Sequence, residues 1–165
     1  MICFIRCDDR IIHGQVVTRW AQERKCDGII AVNDAAASNP LLRQALKAAA
    51  VIRTFVWTKE QFAKKMHEAE KSQKSYFVIT KTLADMADLL VDQQMQVTVD
   101  VLNVGPQPAG EGKININKNC DLSKEDVMAC QKISDAGYRI EYRIVPDSTL
   151  VTYADVKDKL KQAFL

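Results

Sequence analysis

One short segment near the amino terminus gathers most of the chain's chemical potential: Arg6-Cys7-Asp8-Asp9-Arg10-Ile11-Ile12-His13-Gly14-Gln15. It combines a nucleophile candidate, His13, with two guanidinium groups, Arg6 and Arg10, whose planar donors can hold phosphate bidentately. Asp8 and Asp9 can orient or charge-balance the arginines, and Gly14 can let a bulky anion approach backbone. Imidazole suits reversible phosphoryl transfer because an unperturbed pKa of about 6.5 leaves a neutral nitrogen available at cell pH. A phosphoryl group can then be taken and passed on without a metal on the histidine. Spacing alone leaves a second reading open, in which His13 is hydrogen-bonded to Asp8 or Asp9 and the arginines are surface charges.

These residues need elements to position them. Short apolar runs alternate with longer amphipathic stretches, the pattern of βαβ units around a parallel sheet. Residues 2–6 read as the first strand and 15–25, free of Gly and Pro, as the first helix, so His13 falls at a strand-to-helix junction. Strands are expected at 28–33, 53–57, 76–80, 97–104 and 138–145. Asn39 with Pro40 announces a helix to about residue 50, and Thr58 with Gln61 forms a capping box for one through about residue 70. Further helices are expected over 82–91, from the Ser123 and Asp126 cap to Gly137, and over 153–164. The segment 105–112, GPQPAGEG, has loop chemistry and begins at the sheet edge that carries His13. In such a sheet, ligands bind outside the carboxyl ends of strands, where helix N-termini present free N–H groups to anions.

The 165 residues are expected to form a single domain, with 47% hydrophobic residues to build its core. Twenty-three basic residues nearly balance 21 acidic ones, for a net charge of +2, so no nucleic-acid partner is announced. An acidic pair interrupts the amino-terminal apolar stretch where a secretory signal would continue, and no apolar run nears the roughly 18 residues of a membrane span. A cytoplasmic location is therefore expected. Five cysteines without a CxxC pair read as small apolar residues, and no metal or cofactor is expected.

The pattern R-x-D-x-R-x-x-H-G-Q-V, standing here as Arg6, Asp8, Arg10, His13, Gly14, Gln15 and Val16, resembles the hallmark of IIB components of mannose, fructose and sorbose-type bacterial sugar phosphotransferase systems. The resemblance extends through Asn33-Asp34, Asn39-Pro40-Leu41, Asn103-Val104-Gly105 and Val145-Pro146. It implies an α/β fold, an open, mostly parallel twisted sheet with helices on both faces. It implies a phosphotransferase in which His13 takes a phosphoryl group from a IIA partner and delivers it to a sugar entering through membrane IIC and IID subunits. The protein would then be peripherally associated with its transporter. Arg10 would stabilise the transferred group, Gln15 and the backbone at Gly14 would add hydrogen bonds, Asp8 would hold the loop, and Arg6 would bind phosphate or orient the loop. The family often has Asn-Val-Gly-Gly-Met where this chain has Asn103-Val104-Gly105-Pro106-Gln107.

Two alternatives compete. A receiver-like domain would hold Mg²⁺ at Asp8 and Asp9, with Thr80 nearby, but it needs an acceptor aspartate after the third strand, where this chain has Val56-Trp57-Thr58. A phosphosugar- or nucleotide-binding regulatory module is weakened by the lack of GxGxxG and GxxxxGKS. His67 reads as a solvated helix residue, Trp20 and Trp57 as apolar packing, and Lys81 as a solvent-facing lysine near the functional edge.

Overall fold

The computed structural model describes residues 1–165. Strand β1 (Ile2–Cys7) leads to helix α1 (Gly14–Glu23), β2 (Gly28–Val32), α2 (Asp34–Ser38), α3 (Pro40–Ala49), β3 (Arg53–Trp57), α4 (Lys59–Lys71) and β4 (Tyr76–Thr80). Helix α5 (Leu83–Ala87) runs on into a π turn at Asp88–Asp92. After β5 (Val101–Val104) comes a hairpin of β6 (Ile114–Asn117) and β7 (Cys120–Leu122), then α6 (Lys124–Asp135), β8 (Arg139–Tyr142), β9 (Val151–Thr152) and α7 (Tyr153–Phe164).

Seven strands form one sheet in the order β3-β2-β4-β1-β5-β8-β9, parallel except for the antiparallel β8–β9 pair. Helices cover both faces, which is why the central strands read as near-continuous apolar runs. One face packs a cluster of 27 buried residues under α4, α5, α6 and α7, and the other a cluster of 16 under α1, α2 and α3. Val16, Val17, Trp20 and Ala21 fix α1 to its face, with Trp20 stacked on Phe4 at 4.9 Å between ring centroids. A large apolar side chain contributes about 2 kcal/mol when fully buried, so the start of α1 is firmly placed. The chain leaves β1 toward β2 on one side and joins β5 on the other, so the carboxyl ends of β1 and β5 border the crevice where such sheets bind ligands.

The capping chemistry forms as the sequence indicates. Asn39 accepts from the N–H groups of Leu41 and Leu42, and Thr58–Gln61 and Ser123–Asp126 make reciprocal capping boxes. Five segments differ from expectation. Residues 97–100 do not pair as strand: β1 is bulged between Ile2 and Phe4, and the segment keeps isolated bonds, from the Thr98 N–H and hydroxyl to the Ile2 carbonyl and from the Arg139 N–H to the Asp100 carbonyl. The last long strand ends at Tyr142 rather than 145, because the Arg143 carbonyl is drawn to Arg6 and Asn103 and Pro146 has no N–H for a ladder. The helix over 82–91 changes to a π turn from Asp88. Helix α2 and the β6–β7 hairpin are additional elements.

Candidate functional site

The loop 8–13 is built from backbone bonds outward. The Asp8 N–H donates to the Thr80 carbonyl (3.0 Å), the Asp9 N–H to the Pro106 carbonyl (3.2 Å) and the Ile11 N–H to the Asp8 carbonyl (2.9 Å), tying the loop to the ends of β4 and β5. Asp8 Oδ1 accepts the Arg10 N–H at 2.9 Å. Ile11 and Ile12 are buried and act as apolar plugs, while Arg10 between them and Asp9 stays exposed. Ile11 has φ 58°, a left-handed conformation that costs a β-branched residue about 1–2 kcal/mol. The surrounding bonds and burial hold it there.

Beneath the loop lies a buried polar knot. Arg6 is 0% exposed; its Nε and Nη2 donate to Asp8 Oδ2 at 3.2 and 2.8 Å, and its Nη1 to Asn103 Oδ1 and to the Arg143 carbonyl (3.1 Å). Asn103 Nδ2 donates to the same carbonyl at 3.2 Å. Burial pushes the Arg6 guanidinium below its ordinary range, while the Asp8 charge and hydrogen bonds pull it back up. A Cβ on Gly105 would sit 2.1 Å from Arg6 Nη2, so glycine is required where β5 leaves the sheet over this ion pair. Gln107, also buried, exchanges backbone bonds with the hairpin: its N–H donates to the Asn119 carbonyl (3.0 Å) and its carbonyl accepts the Asp121 N–H (3.1 Å). The backbone at Gln107 thus pins the second loop to β6–β7.

His13 occupies the N-cap position of α1 in extended conformation, and its side chain does not cap the helix. No acidic residue stands in the first turn, so the free N–H groups and partial positive charge of α1 are uncompensated beside the imidazole. His13 is partly exposed, and Gln15, exposed at the second helical position, shares this end. Gly14 also has a packing role: a Cβ there would lie 2.4 Å from the Ala49 carbonyl oxygen at the end of α3. A cleft of about 300 Å³ runs between Asp9, Arg10, the 106–109 loop, and Lys118 and Asn119 at the hairpin turn. Lys81 Nζ lies 3.9 Å from Asp9 Oδ1 at the same edge.

The fold therefore brings His13, Arg10, Gly14 and Gln15 to one open edge and sets Arg6 and Asp8 under it. Burial and four hydrogen bonds hold Arg6 beneath the loop, away from the open edge. Asp8 accepts from Arg6 at Oδ2 and from the Arg10 N–H at Oδ1, and the imidazole is not among its hydrogen-bond partners. His67 is an exposed α4 residue bonded to Glu70 (2.7 Å), and Trp20 is buried with its Nε1 donating to the Ile144 carbonyl (2.8 Å). The spacing reading missed the positioning roles of Asn103, Gln107 and Arg143. A polar residue near the end of an apolar strand, as Asn103 is, carries such a signal; Arg143 reads as an ordinary strand-end charge.

An open parallel sheet whose carboxyl edge sets an uncapped helix start, a free imidazole and an exposed guanidinium together defines an anion-handling α/β domain of the phosphoryl-carrying kind. Residues 2–163 match the family described as PTS system sorbose subfamily IIB component, and the chain belongs to that family. It is a IIB component of a sugar phosphotransferase system (PTS) and a phosphotransferase by activity. The sorbose-specific EIIB component of the PTS of Lacticaseibacillus casei is 27% identical over 161 residues, covering 94% of this chain and 96% of that one. The crystal structure of the IIBSor domain of the sorbose permease from Klebsiella pneumoniae superimposes with TM-score 0.86 at 26% identity, over 96% of this chain and 97% of the other. The mannose-specific EIIAB component of Escherichia coli strain K12 is 25% identical over 162 residues, which are 97% of this chain and 49% of that protein. The family works in general with IIA and membrane components.

Proposed function

We propose that His13 is the phosphoryl carrier, loaded by a phosphohistidine of a IIA partner and unloaded onto a sugar held by membrane IIC and IID subunits. The observation that carries this is the placement of an uncommitted imidazole at the uncapped N-terminus of α1, three residues after an exposed arginine whose backbone Asp8 fixes. In the loading step a neutral ring nitrogen of His13 attacks phosphorus, the N–P bond to the donor histidine breaks, and the donor leaves as imidazole. Delivery reverses the role: the sugar hydroxyl oxygen bonds to phosphorus, the N–P bond to His13 breaks, and the hydroxyl proton ends on the released imidazole, which restores neutral His13. Arg10 and the first N–H groups of α1 face the charge on the transferring oxygens, with Gln15 as a further donor. Asp8, through Arg6, holds the loop, and no metal on the histidine is invoked.

Residues 1–165 act as one domain in this relay, working on the cytoplasmic side and bound peripherally to the transporter. Fusion of a IIA and a IIB function in one relative supports a direct IIA contact. The experiment is incubation with phosphoenolpyruvate, the general phosphotransferase proteins and the matching IIA. One acid-labile phosphoryl group should appear on His13 and be absent from His13→Gln. Acid-stable label, undiminished labelling of His13→Gln, or equilibrium binding of a phosphosugar without covalent labelling would overturn the assignment.

A further inference from the structure

At the other end of β1 from the His13 loop, two thiols meet. The bulge between Ile2 and Phe4 puts Cys3 on the α1 face together with Phe4, instead of alternating to the opposite one. After α1, a left-handed residue at Lys25 (φ 53°) and the Cys26 N–H to Ala21 carbonyl bond (2.9 Å) bring the chain back toward the start of β1. The Cys3 and Cys26 Sγ atoms, 23 positions apart in sequence, come within 3.1 Å, about 1 Å beyond a disulfide bond length. Cys3 is only half-buried, whereas Cys7, Cys120 and Cys130 are enclosed, and burial raises all three of those thiols.

We propose that Cys3 and Cys26 are a redox-modifiable pair, oxidised by a peroxide to an intramolecular disulfide, at a site separate from the phosphoryl-transfer edge. Cys3 is the attacking sulfur: a hydrogen bond from the Cys26 thiol holds its pKa down to about 7 in spite of partial burial. Its thiolate bonds to one peroxide oxygen, the O–O bond breaks, and hydroxide leaves to take up a proton as water. Cys26 then attacks the Cys3 sulfenic sulfur, the S–S bond forms, the S–O bond breaks, and the Cys26 proton leaves with the hydroxyl as a second water. Two thiols and one hydrogen peroxide thus give one disulfide and two waters. The resulting covalent ring runs from residue 3 to residue 26 and encloses the whole His13 loop and α1.

The test treats the intact protein with one equivalent of hydrogen peroxide at neutral pH. Intact mass should fall by about two units, peptide mapping should join Cys3 to Cys26, and dithiothreitol should reverse both. Cys26→Ala should instead accumulate a dimedone-reactive sulfenic acid on Cys3. Without peroxide, iodoacetamide should label Cys3 about threefold faster in wild type than in Cys26→Ala, the gain in thiolate fraction exceeding the loss in nucleophilicity. Oxygen addition without a cross-link, a cross-link mapping to Cys7, Cys120 or Cys130, or equal labelling rates in the two proteins would overturn the proposal.

Discussion

Two arginines four positions apart have opposite fates, and the difference is open to measurement. Arg10 is exposed on the loop, so Arg10→Ala should leave urea unfolding unchanged while slowing transfer to His13 about a hundredfold, the usual effect of losing one donor to a developing charge, worth ~3 kcal/mol. Unaltered transfer kinetics in the folded variant would remove Arg10 from the site. Asp8→Ala should behave in the reverse order, costing about 3–5 kcal/mol of stability because it strands the Arg6 charge at 0% exposure. Gly105→Ala should cost about 1–3 kcal/mol through the same knot, since its methyl would lie 2.1 Å from Arg6 Nη2. The types and spacing of residues 6–15 showed that phosphate chemistry was possible. They could not divide the arginines between surface and core, because that depends on Asn103 and Arg143, which reach Arg6 only through the sheet.

Strands β3 and β4 and helix α7 begin and end where the sequence places them, since polar punctuation such as Thr58 and Thr82 bounds short apolar runs. The β6–β7 hairpin escaped notice although Ile114-Asn115-Ile116-Asn117 alternates with period two; so short a pair is stabilised mainly by docking through Gln107, a tertiary contact. Helix α2 is a capped five-residue run that has no period to detect. Between α6 and β8, Cys130 Sγ and Tyr142 Oη lie 3.4 Å apart, both buried. Burial pushes Cys130 up to about 12 and Tyr142 well above its ordinary value. Because the folded-state values are raised, their contribution to stability is full below the unfolded values and is lost as pH climbs through the folded ones. The urea midpoint should therefore hold to about pH 8.5, where cysteine ionises in the unfolded chain, and fall steadily toward pH 12. A flat midpoint from about pH 9 to 11 would show that these groups ionise as readily folded as unfolded.

For the molecule as a whole, the relay needs one edge to meet a IIA donor and later a membrane acceptor, so both contacts should be small and transient. Arg10, Lys81 and Lys118 are the exposed cations there; Arg6, being buried, takes no part in steering. Raising ionic strength should slow association with IIA and leave the fold intact. In an amide NMR titration with unphosphorylated IIA, shifts should centre on residues 8–16, 105–112 and the hairpin turn. Shifts confined to α7 with a silent His13 loop would sink the shared-edge relay. The same architecture also restricts how the chain can drift under selection. The backbone of α3 closes on α1 at Gly14, so position 14 is constrained before any phosphate arrives. A library at this position scored for protein abundance alone, in cells with no transport to perform, should already be depleted of everything but glycine. Invariance there would record the meeting of two helices whether or not catalysis also asks for glycine, so conservation at position 14 is weak testimony about chemistry.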